Sequence, residues 1–230
     1  MARRAEPLPD AIPPLAPRAA TARPAQRRKQ LGRPANASGE DTRRHILEAA
    51  RECFAAYGYA ATSNRIIADR SGLTTAAVYH HFGRKSDLML AVYEATEADS
   101  YARIRAALEG KRGIIAKTHT VLDVIHDIVV EDSATAAFMF VAREESRRHE
   151  ELAAIPLDGV MAELFAEIVD QAIEDHELAA RNAKLVRGVF VVLTSGLATF
   201  GTEQSPEAHA TATEGCKRLI AGTLLNYTKA

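Results

Sequence analysis

Cysteine is nearly missing from this chain: of 230 residues only Cys53 and Cys216 are cysteines, far apart and without a CxxC spacing. That excludes a disulfide framework and argues against a zinc site, so both thiols are expected to be small buried apolar groups. No run of about 18 uninterrupted apolar residues occurs, which leaves no expected membrane span and no membrane partner. The basic, proline-rich start also lacks the apolar segment of a secretory signal, and the chain is expected to stay in the cytoplasm. Period-two alternation is almost absent after residue 40, which excludes an extensive sheet. Nor is there a nucleophile beside a base, a paired-carboxylate arrangement or a glycine loop able to cradle phosphate. An enzyme is therefore not expected, nor any cofactor.

Charge is present but unevenly placed. Residues 1–91 carry 15 Lys/Arg against 8 Asp/Glu, a balance of +7, whereas residues 92–230 carry 14 against 22, a balance of −8. A basic half suits a polyanion such as nucleic acid, because neutralised phosphates release counterions; the acidic half would be repelled by one. Seven of the nine prolines fall within residues 1–34, so that stretch is expected to be a disordered arm extending to residue 39. Arg27, Arg28 and Arg33 cluster around Gly32-Arg33-Pro34, a short basic pattern that suits the narrow minor groove of A·T-rich DNA. A solvated tail is the alternative for the same residues.

From Asp41 onward the spacing is helical. Ile46, Leu47, Ala50, Cys53, Phe54 and Tyr57 form one stripe that Gly58 closes. Ser63 or Thr62 can cap a short helix to Ser71, Gly72-Leu73 makes a turn, and Thr74 or Thr75 begins a second short helix to Phe82. A long helix follows from Lys85 to about Glu109. Five more are expected over 112–130, 133–149, 156–177, 181–202 and 206–227, with Pro156 and Pro206 at tolerated first-turn positions. The predicted fold is all-α: an arm over 1–39, a three-helix domain over 40–90 and a helical bundle over 91–230.

Two short helices joined by a tight turn have the geometry that fits a recognition helix into the major groove. The segment SNRIIADRSGLTTAAVYHHFGRKSDLMLAVY resembles the DNA-binding domain of the tetracycline-repressor (TetR) family. The residues that carry the likeness are Ile67-Ala68, Gly72-Leu73, Tyr79-His80-His81-Phe82, Lys85 and Leu88. The resemblance implies a homodimeric transcriptional regulator, usually a repressor, that binds a palindromic operator in double-stranded DNA and is released by a small, largely apolar effector. It also implies backbone contacts from Tyr79 and Lys85, and contacts to phosphate and base from Ser63 and Arg65. Independently of the family, Thr74, Thr75 and Ala76 begin the second short helix. There a hydroxyl can bond a base edge or phosphate and a methyl can meet a thymine methyl; Tyr79 and His80 lie one turn further. Asn64 departs from an apolar preference at its position.

In the acidic half, Phe138, Met139, Phe140, Met161, Phe165 and Phe190, spread over separate helices, are candidate walls of an effector pocket, with Leu122 beside them. Their plainer reading is core. His119, Asp123 and His126 recur at intervals of four and three and share a helix face. Nothing fixes a fourth ligand or a second shell for a metal there, so His119 and His126 are read as polar pocket wall and no metal is expected. The stripe Val189, Val192, Leu193, Gly196 and Leu197, with Leu219, Ile220 and Leu224 on the last helix, is the expected dimer contact.

Overall fold

The computed structural model describes residues 35–156 and 159–224. Nine α-helices form among them: α1 (Ala35–Ala61), α2 (Asn64–Ser71), α3 (Thr75–Phe82), α4 (Lys85–Leu108), α5 (Ile114–Glu131), α6 (Ser133–Ser146), α7 (Gly159–Glu174), α8 (Ala183–Glu203) and α9 (Pro206–Ile220). No strand occurs among the described residues, and the protein is all-α. Arg27, Arg28 and Arg33 lie outside the described residues.

The caps explain most of the boundaries. Ser63, Thr74 and Ser205 each accept a hydrogen bond from a backbone N–H in the first turn of α2, α3 and α9, at 3.1–3.3 Å. Pro206 then occupies the first turn of α9, where a missing N–H costs nothing. Several ends depart from the sequence expectation: α1 kinks at Gly58 but runs on to Ala61, α6 stops at Ser146, and α7 spans only Gly159–Glu174, which leaves Pro156 ahead of its first turn. α1 begins at Ala35, ahead of the expected cap at Asp41, so the last residues assigned to the arm are helical. α9 stops at Ile220 instead of running to 227, because the chain turns at Ala221 and Gly222, the latter at φ 70°.

Two apolar clusters hold the helices together. The first joins Ile46, Phe54, Ile67, Val78, Leu88 and Phe138, with Val92 and Ala142 around them. It fills the space between α1, α2, α3 and α4 and continues into α6, against which α1 packs more extensively than against any other helix. The expected boundary at residue 90 therefore falls inside α4, and one core spans it. The second cluster joins Ile104, Val121, Leu164, Phe165, Val169 and Phe190 between α4, α5, α7 and α8. Burying each such side chain stabilises by about 1.5–3 kcal/mol.

α9 is fastened to α5 by polar contacts. His119 Nε2 meets the Lys217 carbonyl at 2.9 Å, Lys217 Nζ meets Asp123 at 2.9 Å, and His126 Nδ1 meets His209 Nδ1 at 2.8 Å. The face His119, Asp123, His126 is thus divided among separate partners on α9 and does not converge on one point. His209 is fully buried, and its Nε2 lies 3.0 Å from the Leu197 carbonyl. A carbonyl only accepts, so Nε2 carries the proton, and the bare Nδ1 accepts from His126 Nδ1–H. Gly201 lets α8 approach this pair. A Cβ there would stand 2.5 Å from Val129 Cγ1 and 3.0 Å from His209 Cδ2.

Burial holds the His209 imidazole below its ordinary range, and the neighbouring His126 adds to the effect. In the folded state His209 binds its proton less readily than in the unfolded chain. Its contribution is therefore complete above about pH 6.5 and is lost as the pH falls from there toward the depressed folded value. We expect wild-type Tm to fall more steeply over that window than that of His209→Gln, whose amide still donates to Leu197. Equal slopes in thermal melts across the window would remove His209 from the pH response.

Candidate nucleic-acid interface and effector cavity

The reading head is built from α2 and α3. Gly72 stands between them at φ 68°, ψ 22°, a left-handed conformation that side chains beyond Cα disfavour. The Leu73 N–H returns to the Ala68 carbonyl at 3.0 Å, closing the end of α2 and turning the chain sharply into Thr74. Along α3, Val78 and Phe82 enter the core, which rotates Ala76, Tyr79 and His80 outward to solvent. Tyr79 is 57% exposed, a large value for an aromatic ring on an ordered helix. Thr74 is exposed at the N-terminus of α3, its oxygen engaged in the cap and its O–H still able to donate; Thr75 is half-buried beside it. Ser63 and Arg65 are exposed at the start of α2. Thr74, Ala76, Tyr79 and His80 thus share one outward edge of α3, and Ser63 and Arg65 lie at the start of the preceding helix.

Asn64 turns inward. It is 7% exposed, and its Oδ1 has no hydrogen-bond partner among the described residues. A buried unpaired acceptor costs about 1–3 kcal/mol, which weakens the seating of α2.

Lys85 is placed differently from the expected phosphate contact. Its Nζ donates to the carbonyls of Tyr59 at 2.6 Å and Thr62 at 3.0 Å, with that of Ala60 at 3.5 Å. The ammonium also sits 4.1 Å from the centre of the Tyr59 ring. Burial pushes its pKa below the ordinary lysine value. The side chain thus closes the C-terminal end of α1, where carbonyls lack helical partners, and ties it to the start of α4. α6 meets the same junction: His149, just past its end, stands edge-on to Tyr59 at 5.1 Å and bonds Glu145 at 3.1 Å.

A cavity of about 150 Å³ opens among α4, α5, α6, α7 and α8. Met161 and Phe165 line it, as the sequence suggested. Apart from Met139, the other pocket candidates do not. His119 and His126 are held by α9, Leu122 is fully buried, Phe138 belongs to the first core against Phe54, and Phe190 is buried with its ring tilted against Phe165. Met139, the neighbour of Phe138, lines it as well, and residues that sequence reasoning missed include Tyr93, Glu97, Arg143 and Ser195. One signal was legible: a Tyr-Glu pair four apart on a long helix is one turn, and Tyr93 Oη does bond Glu97 at 3.0 Å.

The expected dimer stripe divides. On α8, Leu185, Val189 and Val192 are 69%, 51% and 70% exposed, and Leu219 and Leu224 are 49% and 46% exposed. Gly196 is exposed in line with them, and Leu193 and Ile220 are half-buried. Leu197 is the correction: at 5% exposure it packs inward on the same side as Phe190. By length and composition, among the described residues, the helix over 180–203 is apolar enough to cross a membrane, and only 11% of its most apolar window is buried.

A helix-turn-helix whose second helix presents an exposed polar edge, set on a larger helical body with an internal cavity, defines a DNA-binding regulator of transcription. Residues 46–92 match the family described as bacterial regulatory proteins, tetR family. The repressor AcnR of Corynebacterium glutamicum is 42% identical over 52 residues, which are 23% of this chain and 28% of that protein. The regulator UidR of Escherichia coli K12 is 25% identical over 193 residues, covering 80% of this chain and 94% of UidR. The solved structure of AibR in complex with isovaleryl coenzyme A and operator DNA superposes with a TM-score of 0.63 at 16% identity, covering 77% and 97% of the two chains. Residues 46–92 are thus similar to the DNA-binding part of TetR-family regulators, and most of the chain is similar to the regulator UidR.

Proposed function

We propose that this protein is a homodimeric repressor that binds a palindromic operator through α2 and α3 and is released when a small, largely apolar effector enters the cavity. The observation that carries the reading is α6. Met139 and Arg143 on this helix line the cavity, and His149, just past its end and bonded to Glu145, meets Tyr59 beside the Lys85 clamp. A ligand that shifts α6 therefore acts on the junction from which α1 and α4 set the reading head. Repression is relieved if the liganded arrangement lets only one of two heads sit in its groove. AibR, solved with both an acyl thioester and operator DNA, supports a response of this kind. The apolar face of α8 and α9 supplies the surface for the second copy, and the Arg27 to Arg33 segment is a proposed minor-groove extension. Such a regulator acts in the cytoplasm, where its DNA is.

The test begins by selecting bound fragments from genomic DNA. Thr75→Val is expected to change sequence preference, with a loss of about tenfold or more on the selected operator, whereas Tyr79→Phe weakens all sequences alike. A metabolite library is then screened for compounds that raise Tm and release the operator. Ala136→Phe, which fills the cavity, should abolish that release. Intact affinity and preference in Thr75→Val would show that α3 does not read the operator, and release that survives Ala136→Phe would place the effector elsewhere.

A further inference from the structure

The turn from α5 to α6 is bracketed by cavity wall. Ile125, Ile128 and Val129 line the space from the end of α5, and Thr135 and Ala136 from the start of α6. Asp132 sits at the turn between them. Its N–H returns to the Ile128 carbonyl at 3.0 Å, and its Oδ1 caps α6 by accepting the Ala134 and Thr135 N–H groups at 3.1 and 3.3 Å. The other oxygen, Oδ2, accepts the Thr135 hydroxyl at 3.1 Å and pairs with Arg51 Nη2 of α1 at 2.7 Å. Arg51 Nη1 in turn donates to the same Thr135 hydroxyl, from 84 positions away in the sequence. Guanidinium, carboxylate and hydroxyl thus close a ring in which each group is bonded to both others. The joint is stiff, since turning any one member away breaks two bonds.

Arg51 is also firmly seated on its own helix. Ala50 and Phe54, on either side of it along α1, are fully buried in the first core, so a pull on Arg51 moves the helix and not a loose side chain. The next residue, Glu52, receives Arg70 of α2 at 2.7 Å. Two adjacent residues of α1 therefore hold different partners: Arg51 the cavity turn, and Glu52 the last turn of the helix that precedes α3. Building on the effector reading above, we propose that Arg51 is a positioning residue, carrying movement of the α5–α6 turn, imposed by a molecule in the cavity, through α1 to α2 and the operator-reading edge. A guest beside Thr135 and Ala136 cannot displace the start of α6 without pulling on Arg51, because Thr135 belongs to the wall and to the ring alike.

Methionines stand on both sides of this joint. Met139 and Met161 line the cavity, whereas Met89 is fully buried in the first core. Benzene, which matches a cavity of about 150 Å³, is the probe, and isotope-labelled methionine methyls of the full chain are followed by NMR. In wild type the benzene titration should move the Met139 and Met161 signals directly, and the Met89 signal along the same binding curve. In Arg51→Gln, and in Asp132→Asn, whose side chain still caps α6, benzene affinity should stay within about twofold while the Met89 response falls at least about threefold. Arg51→Lys, which keeps the charge without the fork, should recover part of that response. The proposal is overturned if benzene fails to move Met139 and Met161, if Met89 stays still in wild type, or if either folded variant passes the movement on undiminished. Undiminished transmission, together with library compounds that still release the operator, would leave the effector reading standing without Arg51. A Met89 response that depends on Arg51, in a protein whose operator no compound releases, would keep the joint and remove that reading.

Discussion

Val192→Asp is expected to dissociate the protein into monomers at micromolar concentration and to lower operator affinity by about 10²–10⁴. Val192 is 70% exposed, flanked by exposed Val189 and Leu185 on the same apolar face of α8, with Leu219 and Leu224 exposed on and just beyond α9. A helix this apolar and this little covered has surface to bury, and a second copy laid across a two-fold axis buries the same residues from both sides. The effect on DNA is indirect and large because two linked heads bind one operator with an effective concentration that separate heads lack. An aspartate inside that face places two like charges near the axis, each desolvated without a partner. The measurements are mass in solution and operator titration on the same preparation. A Val192→Asp protein that remains dimeric would move the interface off α8, and a monomer with undiminished operator affinity would show that one head suffices.

The helices themselves were legible, because in an all-α chain the 3.6-residue period, the capping side chains and the glycine stops all point the same way. Ser63, Thr74 and Ser205 were visible as caps, and Gly72 as the turn. What the period does not reveal is which of two cores an inward residue joins. Phe138 and Met139 are neighbours on α6, yet the helical turn between them sends Phe138 to Phe54 in the first core and Met139 to the cavity. α8 posed the same difficulty, being apolar nearly all round. Phe190 and Leu197, seven apart, share the buried side, whereas Val189 and Val192 share the open one. His119 and His126 were misread because their partners, the Lys217 carbonyl and His209, lie on a helix nearly a hundred residues away in sequence. Contacts of that separation leave no local pattern to find.

Lys85 is the position where family likeness and geometry diverge, and Lys85→Met separates them. A lysine that contacts phosphate leaves stability unchanged when removed and reduces the salt slope of operator binding by about one. The lysine seen here closes α1: its removal leaves the Tyr59 and Thr62 carbonyls without their donor and strips the cation from the Tyr59 ring. Together these cost about 2 kcal/mol, which in a chain of this size lowers Tm by roughly 4–8 °C. Operator affinity should also fall, because the end of α1 and the start of α4 frame α2 and α3, while the salt slope stays that of wild type. Lys85→Arg should restore part of the stability, since a guanidinium also donates to carbonyls, but not all of it, because its planar fork does not match three carbonyls around one point. An unchanged Tm together with a reduced salt slope would return Lys85 to the DNA backbone and leave the end of α1 to be held by Thr62 alone, whose hydroxyl already donates to the Gly58 carbonyl at 2.7 Å.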